Sequence, residues 1–341
     1  MLRPSLASAI KLGCLAAALL FGSIPAARGE MQGPWEVIKM NDRDYVTVES
    51  MKNFYNFAKL TRTGDTIRLE NAKVIMELKV GSQECTMNGV KFVFSYPVES
   101  SGAKTVVSRM DLAKLIDPVL RPNYIQNGGD FRTVILDPGH GGKDNGATNP
   151  LGTEAGYTLM VASKVKSMLE AKGFKVVMTR NSDVYLSLQE RVNVANAVKE
   201  NAIYISIHFN SGSRAARGIE TFALSPQGVA HYGKGLKSSD FSMFNGNEHD
   251  SANIALATAA HGSVLRRLGP TNTFDRGIKR ARWSVLSGVL HPAILVECGF
   301  VTHPYEARLI ENDDYRTAVA AGLTDAVVRY RYAVSQKTSA Q

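Results

Sequence analysis

Three short apolar runs in the second half of the chain each lead into a residue that could take part in catalysis. The runs lie just before His140, just before His208 and just before Glu297. Short buried runs rich in β-branched residues, set between helical segments, indicate strands of a parallel sheet. Such sheets bind ligands outside the carboxyl ends of their strands. We therefore expect two imidazoles and a carboxylate to meet at one sheet edge, as in a metal-dependent hydrolase.

Two histidines and a carboxylate are suited to Zn²⁺, with the fourth coordination position left to water. His140 and His208 would supply the imidazoles. Glu154 is the natural third ligand, because it stands in the first turn of a helix behind Thr153 and the preceding loop can fold its carboxylate toward His140. Glycines make that loop permissive enough to wrap a metal ion. Asp137 is a candidate acceptor that would orient an imidazole.

Hydrolysis at a zinc site also needs a proton acceptor, and Glu297 is placed to be one. The metal lowers the pKa of its water to about 7, and a carboxylate takes the proton and later passes it to the leaving nitrogen. The alternative is a structural carboxylate that pairs with Arg276, Arg280 or Arg282. Each histidine, taken alone, could also be an ordinary hydrogen-bonded residue. Cys298 could be a nucleophile, but in a strand it points away from the face of Glu297, so we expect a buried structural thiol.

The elements that position these residues alternate between strand and helix from residue 131 onward. One helix opens with a capping box, Ser187 to Glu190. Besides the three runs, the pattern predicts strands at 174–178 and 219–224 and helices near 153–172, 187–199, 252–268 and 313–330. This alternation predicts an α/β catalytic domain at 131–332, built on a mostly parallel twisted sheet with helices on both faces.

The preceding part of the chain predicts a small α+β domain at 31–122. Short strand-like segments alternate with glycine-containing turns, and Asn88-Gly89 is a strong hairpin signal. Helices are expected near 48–60 and 109–116. A polar, proline-containing stretch predicts a linker at 123–130. The domain has no cluster of residues suited to catalysis, so we expect a binding or positioning role for it.

Residues 1–28 have the pattern of a secretory signal peptide. Arg3 and Lys11 make the start positive, an apolar stretch follows, and small residues come next. A retained membrane-anchoring helix is the alternative. Elsewhere no stretch approaches the roughly 20 apolar residues that span a bilayer. If the segment is removed, only Cys85 and Cys298 remain, too few for a disulfide framework.

The charge of the chain is basic but spread out. The formal net charge is +9, and loss of Arg3, Lys11 and Arg28 with the signal would leave +6. This modest excess could favour an anionic polymer such as cell wall or nucleic acid. Because no dense cluster of lysine and arginine occurs, an ordinary solvated surface explains it equally well. We therefore expect no nucleic-acid partner.

A series of motifs extends through the second half of the chain. Residues 134–147 read Val-Ile-Leu-Asp-Pro-Gly-His-Gly-Gly-Lys-Asp-Asn-Gly-Ala, and further motifs follow at Glu154, 173–180, 188–191, 206–210, 217–220 and 295–300. Together they resemble the amidase_3 family of zinc-dependent N-acetylmuramoyl-L-alanine amidases, over roughly residues 131–330. The resemblance implies that His140, Glu154 and His208 bind Zn²⁺ and that Glu297 is the catalytic carboxylate.

The function implied by the resemblance is cleavage of the amide between the lactyl group of N-acetylmuramic acid and L-alanine in peptidoglycan. Such an enzyme serves wall remodelling, cell separation or recycling. It implies an exported protein of the periplasm or cell wall, with peptidoglycan as partner and no lasting membrane span once the signal is removed. An activating partner from the wall or the divisome is also compatible with it. The alternatives are another zinc hydrolase of the wall, a peptidase or deacetylase, or a wall-binding protein whose catalytic half is inactive.

The sequence departs from the family pattern at a few places. Ala155 stands where the family usually has lysine, and Cys298 stands where a small hydroxyl residue is common. Some relatives carry a helix that plugs the zinc site. Here residues 225–251 are short and glycine-rich, so we expect no plug. Residues 31–122 resemble a copper-amine-oxidase N-terminal-like module, without implying copper or oxidase chemistry.

Overall fold

A computed structural model describes residues 35–270 and 273–335. The signal peptide expected at 1–28 lies outside these residues. No helix in the described ranges is long and apolar enough to cross a membrane. The elements of the first part are β1 (Val37–Met40), β2 (Arg43–Thr47), α1 (Val48–Phe54), β3 (Lys59–Thr63), β4 (Thr66–Glu70), β5 (Ile75–Lys79), β6 (Glu84–Met87), β7 (Val90–Val93), β8 (Glu99–Ser101), β9 (Lys104–Ser108), α2 (Arg109–Asp111), a π-helical turn (Leu112–Ile116) and α3 (Asp117–Leu120).

The second part begins after a 3₁₀ turn at Pro122–Tyr124. Its elements are β10 (Thr133–Pro138), β11 (Thr148–Asn149), β12 (Gly152–Thr153), α4 (Glu154–Glu170), β13 (Lys175–Met178), α5 (Leu188–Ala197), β14 (Ala202–Asn210), β15 (Ile219–Leu224), two 3₁₀ turns (Ser238–Phe241 and Asn245–His249), α6 (Asp250–Leu268), β16 (Asp275–Ala281), α7 (Ser284–Gly288), β17 (Ala293–Phe300), α8 (Pro304–Glu311) and α9 (Asp313–Ser335).

One large sheet organises the molecule. Its eleven strands have the order β13-β10-β14-β17-β15-β16-β7-β6-β5-β4-β3. The first four are parallel, whereas β15 is antiparallel to β17 and parallel to β16. The carboxyl ends of β10, β14 and β17 therefore meet the amino ends of β15 and β16 at one edge. The predicted α/β fold is confirmed.

Helices cover both faces of the catalytic part of the sheet, which is why its strands are apolar on both sides. α4, α6 and α9 share one buried core, which includes Val161, Leu256 and Leu323. α5 and α7 cover the other face, where Val192 and Leu286 are buried. α4 begins after an N-cap residue, Thr153, whose side chain accepts a hydrogen bond from the backbone N–H of Gly156 at 3.2 Å.

Several elements differ from the sequence prediction. The helix expected near 48–60 ends at Phe54, because Asn56 adopts a left-handed φ of 53° and β3 begins at Lys59. Neither β16 nor α8 was predicted. β16 lacks an apolar run, because it contains Lys279 and Arg280, which are charged and are buried in ion pairs. Residues 225–249 contain only two short 3₁₀ turns, as expected for a chain without a plug.

The two parts of the chain are joined through β7 and β16. These strands pair in parallel at Phe92 and Ile278, and the Lys91 backbone N–H donates to Asp275 Oδ2 at 2.9 Å. The stretch expected to be a linker is packed as well, because Ile125 is fully buried within the main core. Its neighbour Gln126 donates its backbone N–H to Ser251 Oγ at 2.8 Å.

Candidate metal centre and active site

The three residues predicted to bind a metal come from different elements and converge on one point. His140 follows β10, Glu154 is the first residue of α4, and His208 lies near the end of β14. One possible ligand atom from each residue lies within 4.8 Å of the other two. The structure therefore brings together the residues that the sequence selects.

Glu154 lies between the two imidazoles. Its Oε1 is 3.2 Å from His140 Nε2 and 2.9 Å from His208 Nδ1, and it accepts the backbone N–H of Phe209 at 3.1 Å. The Ala147 N–H donates to Oε2 at 2.9 Å. Burial alone would raise the pKa of Glu154, but hydrogen bonds and charge from His140 and His208 hold that pKa well below its ordinary value. The carboxylate is thus ionised, as a metal ligand must be.

Asp144 orients His140. Its Oδ2 lies 2.9 Å from His140 Nδ1, so that the other ring nitrogen, Nε2, faces Glu154. Hydrogen bonds from a carboxylate to the remote ring nitrogen typically fix a ligating imidazole. Burial would lower the pKa of His140, whereas its bonds to Glu154 and Asp144 raise it. Sequence reasoning missed Asp144, because it lies in an irregular glycine-rich loop.

The prediction that Asp137 orients an imidazole is wrong. Asp137 is buried and accepts hydrogen bonds from Thr179 Oγ1 at 2.6 Å, from Ser206 Oγ at 2.7 Å and from Arg191 Nη1 at 2.8 Å. Ser206 belongs to β14 and Asp137 to β10, so the carboxylate ties two strand ends together. Asp137 therefore supports the strands from which His140 and His208 extend.

The loop between β10 and α4 approaches the site too closely for side chains. A Cβ atom on Gly139 would stand 2.2 Å from His208 Cε1, and one on Gly146 would stand 2.6 Å from Glu154 Oε2. His140 itself has a left-handed φ of 60°, which is uncommon for residues other than glycine. The expectation of a glycine-dependent loop is therefore confirmed. The backbone strain of the loop lies at His140, one of the predicted metal ligands.

Two buried arginines hold this loop in place. Arg180 donates from Nη2 to the Gly139 carbonyl at 2.7 Å, and Arg191 donates from Nη2 to the His140 carbonyl at 2.6 Å. Both side chains are almost completely buried. Sequence reasoning noted the motifs that contain them but assigned them no role, because nothing local in the sequence shows that their partners are backbone carbonyls.

Glu297 lies in β17 beside the metal cluster. It is the register partner of His208 on one side and of Glu220, in β15, on the other. Its Oε2 is buried and has no hydrogen-bond partner in the described part of the chain. Burial raises the pKa of Glu297 well above its ordinary value, and the charges of Glu154 and Glu220 raise it further. A buried carboxyl oxygen without a protein partner indicates a bond to a group from outside the protein, such as a substrate or a water.

The ion pairs do not support a structural role for Glu297, because none of the three arginines considered as its partner bonds it. Each of these arginines has an acidic partner elsewhere: Arg276 with Glu220 at 2.8 Å, Arg280 with Asp111 at 3.5 Å and Arg282 with Asp240 at 2.8 Å. Nearby, Cys298 is fully buried on the opposite face, and burial raises the pKa of its thiol. The expectation of a structural thiol at Cys298 is confirmed.

The residues present fit a zinc ion. Two imidazoles and one ionised, buried carboxylate are a donor set that Zn²⁺ takes in catalytic sites, where a fourth position stays open. The donor atoms already lie close together, and the unpartnered Oε2 of Glu297 is on the neighbouring strand. An α/β sheet with this cluster at its catalytic edge has the build of a metal-dependent hydrolase.

Comparison with known proteins identifies the family. Residues 134–329 match Amidase_3, described as N-acetylmuramoyl-L-alanine amidase, and the chain belongs to this family. The family resemblance read from the sequence is therefore confirmed, and the chain is an N-acetylmuramoyl-L-alanine amidase that hydrolyses amide bonds in peptidoglycan. The match begins at residue 134, so the likeness of residues 31–122 to a copper-amine-oxidase module has no support from it.

Two relatives found by sequence comparison agree with this assignment. The chain is 29% identical over 254 residues to the amidase AmiA of Escherichia coli (strain K12), covering 67% of this chain and 86% of that protein. It is 31% identical over 240 residues to AmiC of Neisseria meningitidis serogroup B, covering 64% of this chain and 57% of that protein. Among solved structures, the catalytic domain of the amidase CwlV from Bacillus (Paenibacillus) polymyxa var. colistinus aligns with a TM-score of 0.48 at 31% identity, covering 59% of this chain and 98% of that one.

Proposed function

We propose that this amidase is a zinc enzyme that cleaves the bond between the lactyl group of N-acetylmuramic acid and L-alanine. In this proposal His140, Glu154 and His208 hold the metal, and Glu297 moves the proton. The observation that carries the proposal is the unpartnered Glu297 Oε2 on the strand next to a cluster of two imidazoles and a carboxylate.

The chemistry divides between the metal and the protein. Bound Zn²⁺ would lower the pKa of a water and polarise the scissile carbonyl. Glu297 Oε2 would accept the proton of the attacking water and then deliver it to the nitrogen of L-alanine, which leaves as an amine. Asp144 would keep the His140 ring in one orientation, and Arg180 and Arg191 would keep the loop backbone fixed through its carbonyls. These contacts hold the reacting groups in position before substrate binds.

The products of digestion test the bond specificity. Purified peptidoglycan would be incubated with the zinc-loaded mature protein and the released material analysed by mass spectrometry. We expect free stem peptides that begin with the amino group of L-alanine. Cuts within the stem peptide would support a peptidase instead, and release of acetate would support a deacetylase. If wall is bound but nothing is released, the catalytic half is inactive.

We also propose that the protein is exported to the periplasm or the cell wall, where its substrate lies. The support is the basic, then apolar, then small-residue pattern of residues 1–28. Expression of the full chain followed by amino-terminal sequencing of the secreted fraction tests this. A mature protein that starts near residue 29 is expected, whereas an intact amino terminus in the membrane fraction would indicate a retained anchor.

A further inference from the structure

A group of positive side chains lies beside Glu297, on the side away from the predicted metal ligands. We call Arg217, Arg276 and Lys279 the basic rim. Arg276 and Lys279 belong to β16 and both donate to the Glu220 carboxylate, Arg276 from Nε at 2.8 Å. Glu220 also accepts from Asn210 Nδ2 at 2.6 Å. Since Glu220 is the register partner of Glu297, the rim begins one strand from the proposed proton carrier.

Glu220 is buried and carries one negative charge against the two cations bonded to it, and exposed Arg217 adds a third. A second carboxylate, that of Glu306, lies near the rim: burial raises its pKa, whereas the charges of Arg217 and Arg276 act to lower it. Arg217 contacts Arg276 directly, because its carbonyl accepts from Arg276 Nη1 at 3.4 Å. Arg217 is exposed and bonds no carboxylate within the described residues, so the edge of the site keeps a positive surface, which favours an anionic part of the substrate.

Arg276 is the member of the rim that is both accessible to a substrate and held in place by its neighbours. Its side chain is 30% exposed, whereas that of Lys279 is 3% exposed. Two contacts fix the guanidinium: Nε bonds Glu220, and Cζ lies 4.9 Å from the centroid of the Phe300 ring. Within the described residues no protein group bonds Nη2. The guanidinium is therefore held in a set orientation with donors left over, which suits a carboxylate because the planar fork matches two carboxylate oxygens.

The distance from Glu297 to the rim matches the distance from the scissile nitrogen to the residue after L-alanine in the stem peptide. Adjacent strands are about 4.8 Å apart, so the rim lies roughly one to two strand spacings from Glu297. A peptide advances at most about 3.6 Å per residue, which places the carboxylate of the residue after L-alanine within that distance of the scissile nitrogen. Asp144, on the other side of the metal cluster, is negative and would not attract a carboxylate there.

We propose that Arg276, held by Glu220, is a specificity residue that binds the free carboxylate of the stem-peptide residue following L-alanine. This inference rests on the proposed function, because it takes Glu297 to mark the point of cleavage. The enzyme then favours stem peptides whose second residue carries a carboxylate over those in which that group is a carboxamide. Loss of the negative charge removes the charge-assisted part of the hydrogen bond to the guanidinium.

The test compares two substrates that differ only in this group, N-acetylmuramoyl-L-alanyl-D-isoglutamate and N-acetylmuramoyl-L-alanyl-D-isoglutamine. We expect the wild-type kcat/KM to be about tenfold higher for the acid, the low end for a hydrogen bond to a charged group because Arg276 is partly exposed. Arg276→Gln should bring the ratio close to one, mainly through a higher KM for the acid. Arg214→Gln, at an exposed arginine in the loop before the rim, is the matched control and should keep the wild-type ratio.

The outcomes separate this inference from the function on which it rests. Equal cleavage of both substrates by the wild-type protein overturns the role of Arg276 and leaves the amidase assignment standing. A loss of activity in Arg276→Gln that is the same for both substrates also overturns it, because Arg276 would then only position Glu220. If the zinc-loaded wild-type protein cleaves neither substrate, the proposed function itself is overturned. The proposed specificity is then overturned as well.

Discussion

Glu297 and His208 are register partners in the adjacent parallel strands β17 and β14. Both side chains therefore lie on the same face of the sheet, about one strand spacing apart. The hydrogen bonds of the sheet fix this distance, so the proposed proton carrier and a proposed metal ligand cannot separate without breaking the centre of the fold. A proton carrier set in this way needs little rearrangement when substrate binds.

The first prediction concerns the metal. Purified protein should contain about one zinc per chain, because His140, Glu154 and His208 form one open three-ligand site. His140→Ala and His208→Ala should lose the metal. His303→Asn is the control, since His303 is not one of the residues of the metal cluster and asparagine can keep its cap on α8. Elemental analysis measures the content, and an unchanged zinc level in both alanine variants would rule out this ligand set.

The second prediction concerns proton transfer. Glu297→Gln keeps the shape of the side chain and removes its ability to accept a proton, so kcat should fall by on the order of 10²–10⁴-fold. Zinc content should stay at the wild-type level, because Glu297 is not among the residues of the metal cluster. Hydrolysis of a soluble muropeptide measures the rate. A zinc-loaded variant with near wild-type kcat would show that another group carries the proton.

The sequence predicted the catalytic strands well because each strand has a recognisable pattern within its own few residues. An apolar run that stops at His140, His208 or Glu297 is visible without any knowledge of the partners. Asp144 was missed because its role depends on the left-handed turn at His140. The periodicity of the sequence does not predict such a turn. β16 was missed for a related reason. Its Lys279 and Arg280 look like surface residues, and only carboxylates distant in the sequence allow them to be buried.

The third prediction follows from the contact between Asp144 and His140. Asp144→Ala should weaken zinc binding by about 10–100-fold, because the imidazole loses the group that fixes its orientation. The fold should be retained, since Asp144 lies in a loop and about half of its side chain is exposed. Competition with a chelator measures the affinity. Asp183→Ala is a useful comparison, because Asp183 supports the same loop through the Gly142 N–H and does not contact the imidazole.

The fourth prediction concerns Asp111, whose pairing with Arg280 joins the two parts of the chain. Both side chains are buried, and Arg280 Nη1 also donates to Ser95 Oγ at 3.0 Å. Asp111→Asn removes the carboxylate that bonds the guanidinium and should lower the free energy of unfolding by about 3 kcal/mol. Asp65→Asn makes the same chemical change at an exposed position and should cost less than about 0.5 kcal/mol. Urea denaturation compares the two, and equal midpoints would mean that water solvates Arg280.

The last prediction concerns the accessory domain proposed at 31–122. By length alone, a chain that starts at Gly129 is large enough to fold, and the division into domains predicts that it does. The structure gives a reason to expect a penalty. Truncation removes β7 from the edge of β16 and takes Asp111 from Arg280. It also exposes part of one shared hydrophobic core, which includes residues of both parts of the chain, such as Val46 and Val334. β16 also carries Arg276 and Lys279, which hold Glu220 beside Glu297.

The shortened chain should therefore melt at a lower temperature than the full protein and lose activity even on soluble muropeptides. Loss on soluble substrates distinguishes a part that supports the active site from one that only attaches the enzyme to the wall. Thermal unfolding followed by circular dichroism, with hydrolysis of both soluble muropeptides and intact sacculi, makes the comparison. If the shortened chain melts like the full protein and fails only on sacculi, residues 31–122 are a wall anchor, and β16 is stable without β7.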